Sequence, residues 1–307
     1  MGPVLAHVAP AVEPVQLLAP AVVAGAYARR CATLRRAGRA VPAWRQWCFG
    51  GGVLLGVVGL LALGHVGEER FVAHMAEHLL LGDLAALLIV LGLTGPVLAP
   101  LLRVRWLRWI RALGHPVVAL VLWSANLALW HLAPLHEAAL SSAVVHAVQH
   151  ACFVAFGIGV WLPLFGPLPQ PAWFGNGARV GYVVGVRLLG AVLANVLLWA
   201  GHPLYDGYEV ADRLEDQTAA ASVMMVEGSL LTLVLFGWLF LRWMAQGEER
   251  QRLVELGASE ARAARAVAAG RGEELRRRLL DPGAPTSPGG APPAVSGRSG
   301  AGTTLSP

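Results

Sequence analysis

The stretch FVAHMAEHLLLGDLAALLIVLGL, residues 71–93, contains the features that decide the fold. Its residues are mostly apolar, with Glu77 and Asp83 as the only acids and no Lys or Arg. A helix of about 20 mainly apolar residues crosses the hydrocarbon core of a bilayer. The stretch therefore predicts a transmembrane helix with two histidines, His74 and His78, near its beginning and one aspartate near its middle.

The rest of the chain has the composition of a membrane protein. Of its 307 residues 56% are hydrophobic and 14% are charged, with a mean hydropathy of +0.56, whereas soluble domains are about 25% charged. We therefore predict an all-α, polytopic membrane helix bundle with about seven transmembrane helices, in a multi-pass protein of the plasma membrane. The predicted spans are residues 9–28, 47–65, 71–93, 116–134, 142–163, 180–201 and 219–243.

The charges in the connecting segments alternate from one side to the other. Six arginines and no acid lie between the first two spans, and four arginines and no acid between the third and fourth. The opposite side carries eight acids and two arginines. Since basic loops stay in the cytoplasm, the N-terminus is predicted outside and the C-terminus inside. The lipid bilayer is the expected partner of this chain, and nucleic acid is not, because the arginines flank runs of membrane length.

The composition also predicts three regions. Residues 1–245 form the seven-helix transmembrane domain, and residues 246–280, rich in Ala, Arg, Glu and Leu, form a cytoplasmic charged helix. Residues 281–307 are rich in Pro, Gly and Ser and are expected to be disordered. Such a tail is either a docking arm or a solvated extension.

Histidines gather at the outer ends of the predicted spans. His74 and His78 form one i,i+4 pair and His146 and His150 another. Residues four apart share a helix face, and His131 arrives at the same level from the fourth span. These five imidazoles are predicted to converge on a metal ion, although hydrogen bonding alone is the alternative. Imidazole suits copper, zinc and iron, whereas thioether sulfur favours reduced copper.

Methionines and carboxylates stand near this level or deeper. Met75 adjoins His74, and Met224 begins the seventh span. Glu77 and Glu227 are predicted to orient ligating histidines. Asp83 and Arg187 lie at similar depths and are predicted to form an ion pair near the midplane, either as a structural lock or as a proton relay.

Other chemistries lack their motifs in this sequence. No GxxxxGK[ST] phosphate loop and no GxSxG nucleophile motif occurs. The three cysteines have no CxxC spacing, which argues against a disulfide framework or a thiolate zinc site. No catalytic residue is predicted.

Three blocks of the sequence resemble a known family, the multispanning CtaG assembly factors of bacterial cytochrome c oxidase. HMAEHLLL at 74–81 is similar to the family's HMxxHMLL, with Leu79 where Met is common. Residues 115–164 resemble its HP…WHxPxxYxxAL…xHxxEH…GxxxWxPL core, with His136 near the usual aromatic and Gln149 in place of an acid. DQTAAASVMM at 216–225 resembles DQxxAGxxMW, with departures at Ala221 and Met225.

This resemblance implies a non-enzymatic accessory protein that supplies or inserts copper during oxidase assembly. Cytochrome c oxidase subunits are the implied partners, and a homo-oligomer is an open possibility. Copper is favoured over haem or zinc as the bound species. The family motifs suggest as candidate residues His74, His78, His131, His146, His150, Asp216 and Met224.

Three other functions stay open at this point. A di-iron membrane oxygenase also uses HxxxH pairs, but those pairs face the cytoplasm and come with HxxHH clusters that this chain lacks. A haem-binding electron carrier would place axial histidines on facing spans. A copper transporter would continue polar or Met residues to the inner side, where Leu, Val and Gly predominate here.

Overall fold

The computed structural model describes residues 9–104 and 110–281, and within these ranges the regular structure is helical. The predicted tail at 281–307 lies outside the described residues apart from Asp281. The helices, in chain order, are α1 (Ala9–Arg36), α2 (Ala43–Glu69), α3 (Phe71–Leu79), a π segment (Leu80–Ala85), α4 (Ala86–Gly92), α5 (Gly95–Arg103), α6 (Ile110–Leu113), α7 (Pro116–Trp130), α8 (Ala133–Ser141), α9 (Ala143–Phe165), α10 (Asn176–Trp199), α11 (Arg213–Glu255), α12 (Glu260–Ala268) and α13 (Gly272–Leu280).

Five of the described stretches are long and apolar enough to cross a membrane. They are Ala43–Gly64, Phe71–Gly92, Ala143–Phe165, Asn176–Trp199 and Arg213–Glu255. A sixth is added if α7 and α8, which are bent by 70° relative to each other, count as one broken span. The chain is therefore an all-helical, multi-pass membrane protein with five or six candidate spans among its described residues. The predicted first span falls on the less apolar α1, so seven spans and the orientation of the termini stay predictions.

The described residues fall into two compact units, one up to Phe240 and one from Leu241 onward. In the second unit, residues 246–280 do not form the single helix predicted from composition. Gly257 and Gly270 adopt φ of +93° and +68°, a backbone conformation in which glycine commonly ends a helix. The segment is therefore divided into the end of α11, α12 and α13, which share a small core of Leu253, Ala258, Ala263 and Leu275. The predicted domain limits stay predictions.

The span that begins at Phe71 is the most enclosed of the five. Of its most apolar window 56% is buried, against 17% to 33% for the others. Glycines bring neighbouring backbones against it, since small residues let helices approach closely in membranes. A Cβ at Gly157 of α9 would overlap the main-chain oxygen of Gly82 and lie 3.0 Å from its Cα. This crossing brings the beginnings of α3 and α9 together, and these beginnings carry the two histidine pairs.

The π segment interrupts this span directly after its histidine pair. The Trp161 indole N–H donates to the main-chain oxygen of Asp83 within it, at 3.1 Å. A π turn inserts an extra residue into a helix and is frequent at functional sites. The insertion changes the direction of the side chains that follow it. His78 faces the histidines of α9, whereas Asp83 faces Arg187 of α10.

Candidate metal centre

Four imidazoles from α3 and α9 lie in contact in the interior of the bundle. We call this group the imidazole cluster: His74, His78, His146 and His150. Ring centroids are 4.3 Å apart within the α3 pair and 4.2 Å apart within the α9 pair. Between the helices, His74 stacks on His146 at 5.1 Å and His78 meets His150 edge-on at 5.4 Å. The i,i+4 spacing and the glycine crossing together produce this arrangement.

Two overlapping sets of donor atoms occur within the cluster. His74, His78 and His146 each offer a ring nitrogen within 4.8 Å of the other two, and Glu77, His146 and His150 do the same with a carboxylate oxygen. Nitrogen ligands bind ions such as zinc at about 2.0 Å. Donors that share one ion at this distance lie closer together than 4.8 Å, so the side chains would have to move closer to one another, and metal binding itself stays a prediction.

The ring nitrogens of the α3 pair have no hydrogen-bond partner among the described residues. The atoms that are buried without a hydrogen-bond partner include both ring nitrogens of His74, both of His78 and the Nε2 atom of His146. Buried polar groups are almost always hydrogen-bonded, and each exception needs an explanation. The alternative of a purely hydrogen-bonded histidine cluster requires partners that the described residues do not provide for these two side chains.

Glu77 lies inside the bundle beside these rings. Its side chain is fully buried, and its Oε1 atom is 3.5 Å from Nε2 of His150. A Cβ at Gly67 of α2 would lie 3.3 Å from the other carboxylate oxygen, so glycine makes room for the acid. The position beside His150 fits the predicted role of orienting a histidine, and it also makes Glu77 a direct donor candidate.

His131 lies outside the imidazole cluster as defined here, and the convergence of all five imidazoles on one point stays a prediction. It belongs to neither donor set found among the described residues. Its Nδ1 atom is 2.8 Å from the Leu127 carbonyl oxygen, and its Nε2 atom is 3.4 Å from the Met75 sulfur. His131 directly follows the end of α7 at Trp130, and α8 begins beyond it after a bend of 70°. Met224 is buried in an apolar cluster with Met75.

His136 is a site neighbour that the motif analysis left out of the candidate set. It is fully buried, its ring lies 5.0 Å from that of His74, and it stacks on Tyr205 at 4.0 Å. Its Nε2 atom shares a 2.7 Å hydrogen bond with the Tyr208 hydroxyl. Burial raises the pKa of Tyr208 above its ordinary value, so the phenol stays protonated and donates. The position of His136 at the level of the other histidines was the available signal.

Asp216 has a structural position at the beginning of α3. Its carboxylate accepts hydrogen bonds from the main-chain N–H groups of Phe71 at 2.6 Å and Val72 at 3.4 Å. Helix N-termini leave such donors unpaired, and aspartate is a preferred cap. Asp216 therefore joins the start of α11 to the helix that carries His74, and it is not among the grouped donors of the cluster.

Asp83, Arg187 and Glu227 form a second buried polar group. The Arg187 guanidinium donates to both carboxylate oxygens of Asp83, at 3.1 and 3.0 Å. This is the ion pair that the sequence predicts. Glu227 does not orient a histidine as expected, because its carboxylate lies 3.6 Å from the same guanidinium. Opposite charges attract strongly where water is excluded, and this attraction explains the position of Glu227.

A cavity of about 570 Å³ adjoins both polar groups. It extends from the methionine and histidine side to the ion pair, and its wall is otherwise largely apolar. The polar and sulfur-containing residues that line it include Met75, His78, His131, Met224, Asp83, Arg187 and Glu227.

Comparison with known proteins assigns the chain to a family. Residues 25–246 match the model of the cytochrome c oxidase caa3 assembly factor family, Caa3_CtaG. The chain belongs to this family, which confirms the resemblance inferred from the three motif blocks. It is thus a helical, multi-pass membrane protein of a family that assembles cytochrome c oxidase.

Two curated relatives carry names that state no function. They are the uncharacterized proteins Mb0105 of Mycobacterium bovis and MT0111 of Mycobacterium tuberculosis, each 29% identical over 186 residues. The match covers 54% of this chain and 28% of each relative, so the chain spans little more than a quarter of their length. No solved structure matches the chain.

Proposed function

We propose that the protein captures copper at the imidazole cluster and passes it to a cytochrome c oxidase subunit during assembly. The observation that carries this proposal is the set of buried ring nitrogens on His74 and His78, which converge with His146 and lack hydrogen-bond partners among the described residues. Leaving polar atoms unpaired inside a membrane bundle costs several kcal/mol per group. A bound cation removes part of that cost, since the one lone pair of each neutral ring then has a partner.

Copper is favoured over zinc and haem as the cargo. Imidazole binds both zinc and copper, and the assembly role of the family favours copper as the cargo. The His74 and His146 rings stack at 5.1 Å and 8°, which leaves no space for a planar macrocycle between them. The handover needs no covalent chemistry, since ligand exchange is enough. The copper is cargo, and an outward-facing cluster would receive it from outside the plasma membrane.

One observation favours a second candidate, a non-haem iron enzyme. Glu77, His146 and His150 form a set of two histidines and one carboxylate, which is the ligand combination of many iron(II) oxygenases. In this alternative the bound metal is iron. Substitution of the two histidines and the carboxylate would then abolish the oxidation reaction that the enzyme catalyses. The family assignment favours the assembly factor.

The test compares metal content in the full-length chain purified in detergent. We expect the wild type to bind copper at the cluster and the double variant His74→Ala/His146→Ala to lose the copper bound there, because it lacks two of the converging ring nitrogens. His202→Ala is the matched control, because His202 is an exposed histidine outside the cluster. Cytochrome c oxidase activity in cells carrying each version is measured in parallel and should fall only with the double variant.

Two outcomes would contradict the proposal. Equal copper in the wild type and the double variant would remove the cluster as its binding site. Stoichiometric iron in place of copper would favour the oxygenase.

A further inference from the structure

The two ring nitrogens of His131 differ in their neighbours. Nδ1 lies beside a hydrogen-bond acceptor, whereas Nε2 lies beside a thioether sulfur. Its Nδ1 atom lies 2.8 Å from the carbonyl oxygen of Leu127. A carbonyl oxygen only accepts hydrogen bonds, so Nδ1 carries the proton of the neutral ring. The Nε2 atom is then a bare lone pair. A doubly protonated ring would instead bury a positive charge in an apolar wall, which is costly.

This lone pair points at a second lone pair. The Met75 sulfur is 3.4 Å from Nε2 of His131, and a thioether has no proton to donate. Met75 is only 2% exposed, so the sulfur is held in this position by packing. Two acceptors facing each other form no hydrogen bond. A soft cation bound by both atoms is the arrangement that such a pair suits.

A third soft donor lies on the same cavity wall. Met224 lines the cavity with Met75 and His131 and packs in one apolar cluster with Met75. Thioether sulfur selects monovalent copper over the harder divalent ions. The donor set of one imidazole and two thioethers therefore differs in chemistry from the all-imidazole and carboxylate sets of the cluster.

We propose that His131 and Met75, with Met224, form a second metal site that is specific for monovalent soft cations and separate from the imidazole cluster. Neighbouring rings connect this second site to the imidazole cluster. The ring centroids of His131 and His136 are 6.5 Å apart, and those of His136 and His74 are 5.0 Å apart. The proposal extends the proposed function by a transfer step, in which the cavity site exchanges Cu(I) with the cluster. The existence of the site does not depend on that step.

The test titrates the full-length chain in detergent with Ag(I), a redox-inert substitute for Cu(I), and separately with Zn(II) as a probe of the cluster. X-ray absorption at the silver edge should show sulfur neighbours in the wild type. Met75→Leu removes the sulfur at nearly constant volume, and we expect it to lose about one equivalent of Ag(I) and most of the sulfur signal. Zn(II) binding should be unchanged, which also shows that the variant is folded.

Met244→Leu is the control, because Met244 is a methionine with 49% exposure, and it should bind like the wild type. An unchanged Ag(I) stoichiometry and sulfur signal in Met75→Leu would overturn the proposal. A silver-edge spectrum of the wild type that shows only nitrogen neighbours around silver would also overturn the proposal, and that measurement requires no variant. Loss of the silver–sulfur signal in His74→Ala/His146→Ala would show one composite site and would also overturn it.

These outcomes are independent of the proposed function. If the double histidine variant binds as much copper as the wild type, the role of the cluster fails while the silver result stands. If Met75→Leu changes nothing while the double variant loses copper, the cavity site fails and the cluster stands.

Discussion

Two polar groups on the same span, five residues apart, differ in how their atoms are satisfied. Both carboxylate oxygens of Asp83 accept hydrogen bonds from Arg187, with Glu227 close by. Both ring nitrogens of His78 lack a hydrogen-bond partner among the described residues. The two groups share a helix and similar burial, so burial alone does not explain the difference.

The difference separates a group that joins helices from a group suited to a ligand. The bidentate pair satisfies both carboxylate oxygens of Asp83 and in a membrane fixes two helices together, whereas Arg187 Nε and one Glu227 oxygen lack hydrogen-bond partners among the described residues. The paired Asp83 favours the structural lock over the proton relay, the two roles that the sequence left open. The unpaired ring nitrogens of His78, at similar burial, lower the stability of the metal-free protein. A bound ligand would offset this loss of stability. The following variants test this distinction.

The largest effect is expected from Gly157→Ala, which disturbs both groups at once. The added Cβ would overlap the main-chain oxygen of Gly82, and a backbone atom cannot move aside by rotating a side chain. The two helices must separate, so the destabilisation should exceed the roughly 1–3 kcal/mol of ordinary overpacking. We expect little folded protein and no copper, measured by detergent melting and metal analysis.

Gly159→Ala is the matched control on the same helix. A Cβ there has nothing within 4 Å, so it should melt and bind copper like the wild type. Equal behaviour of the two variants would mean that the helix crossing does not hold the cluster together.

The next largest effect is expected when the two polar groups are compared directly, by the free energy of unfolding of Asp83→Ala and His78→Leu in the chelator-treated protein. Asp83→Ala leaves Arg187 without its bidentate partner, and breaking a buried pair costs about 3–5 kcal/mol. His78→Leu removes unpaired buried nitrogens, so the metal-free protein should be as stable as the wild type or more stable. Copper should stabilise the wild type and Asp83→Ala more than it stabilises His78→Leu, because a ligand stabilises the native state that binds it and His78→Leu lacks one donor of the cluster. Loss of metal-free stability in His78→Leu equal to that in Asp83→Ala would contradict the distinction.

The sequence predicted those features that depend on spacing along one helix. The i,i+4 steps placed His74 with His78 and His146 with His150, and apolar length located six of the helical stretches. The depth of Asp83 and Arg187 from the span ends predicted their pairing. Each of these inferences needs only the helix repeat and the thickness of a bilayer.

Features that depend on packing between helices were not predictable in this way. His136, on α8 beyond the 70° bend, is fully buried beside His74, whereas His131 belongs to neither donor set among the described residues. The π segment rotates the side chains after His78, and the position of Glu227 follows from Arg187 rather than from any histidine. A single sequence carries no periodic signal for such contacts.

A smaller effect is expected from Asp216→Ala, which alters the position of one group only. Removing a helix N-cap costs about 1 kcal/mol, and the freed N–H groups of Phe71 and Val72 loosen the start of α3. We expect a modest fall in melting temperature with weaker copper retention, since His74 lies in the first turn. Asp206→Ala is the control, because that carboxylate is 94% exposed in a surface pair with Arg213 and such pairs contribute little. Equal melting temperatures for the two variants would exclude a capping role.

The smallest effect is expected from Tyr208→Phe, which removes the hydrogen-bond partner of the Nε2 atom of His136. Loss of the 2.7 Å hydrogen bond should cost about 1 kcal/mol at neutral pH. Burial, then Tyr205, Asp216 and Glu137, raise the pKa of the folded phenol, so the unfolded phenol ionises first. The contribution to stability is therefore constant below about pH 10 and falls above it. Unfolding curves should show wild type losing up to about 1.4 kcal/mol more per pH unit than the variant in that range, and parallel pH profiles would contradict the buried phenol as the donor to His136.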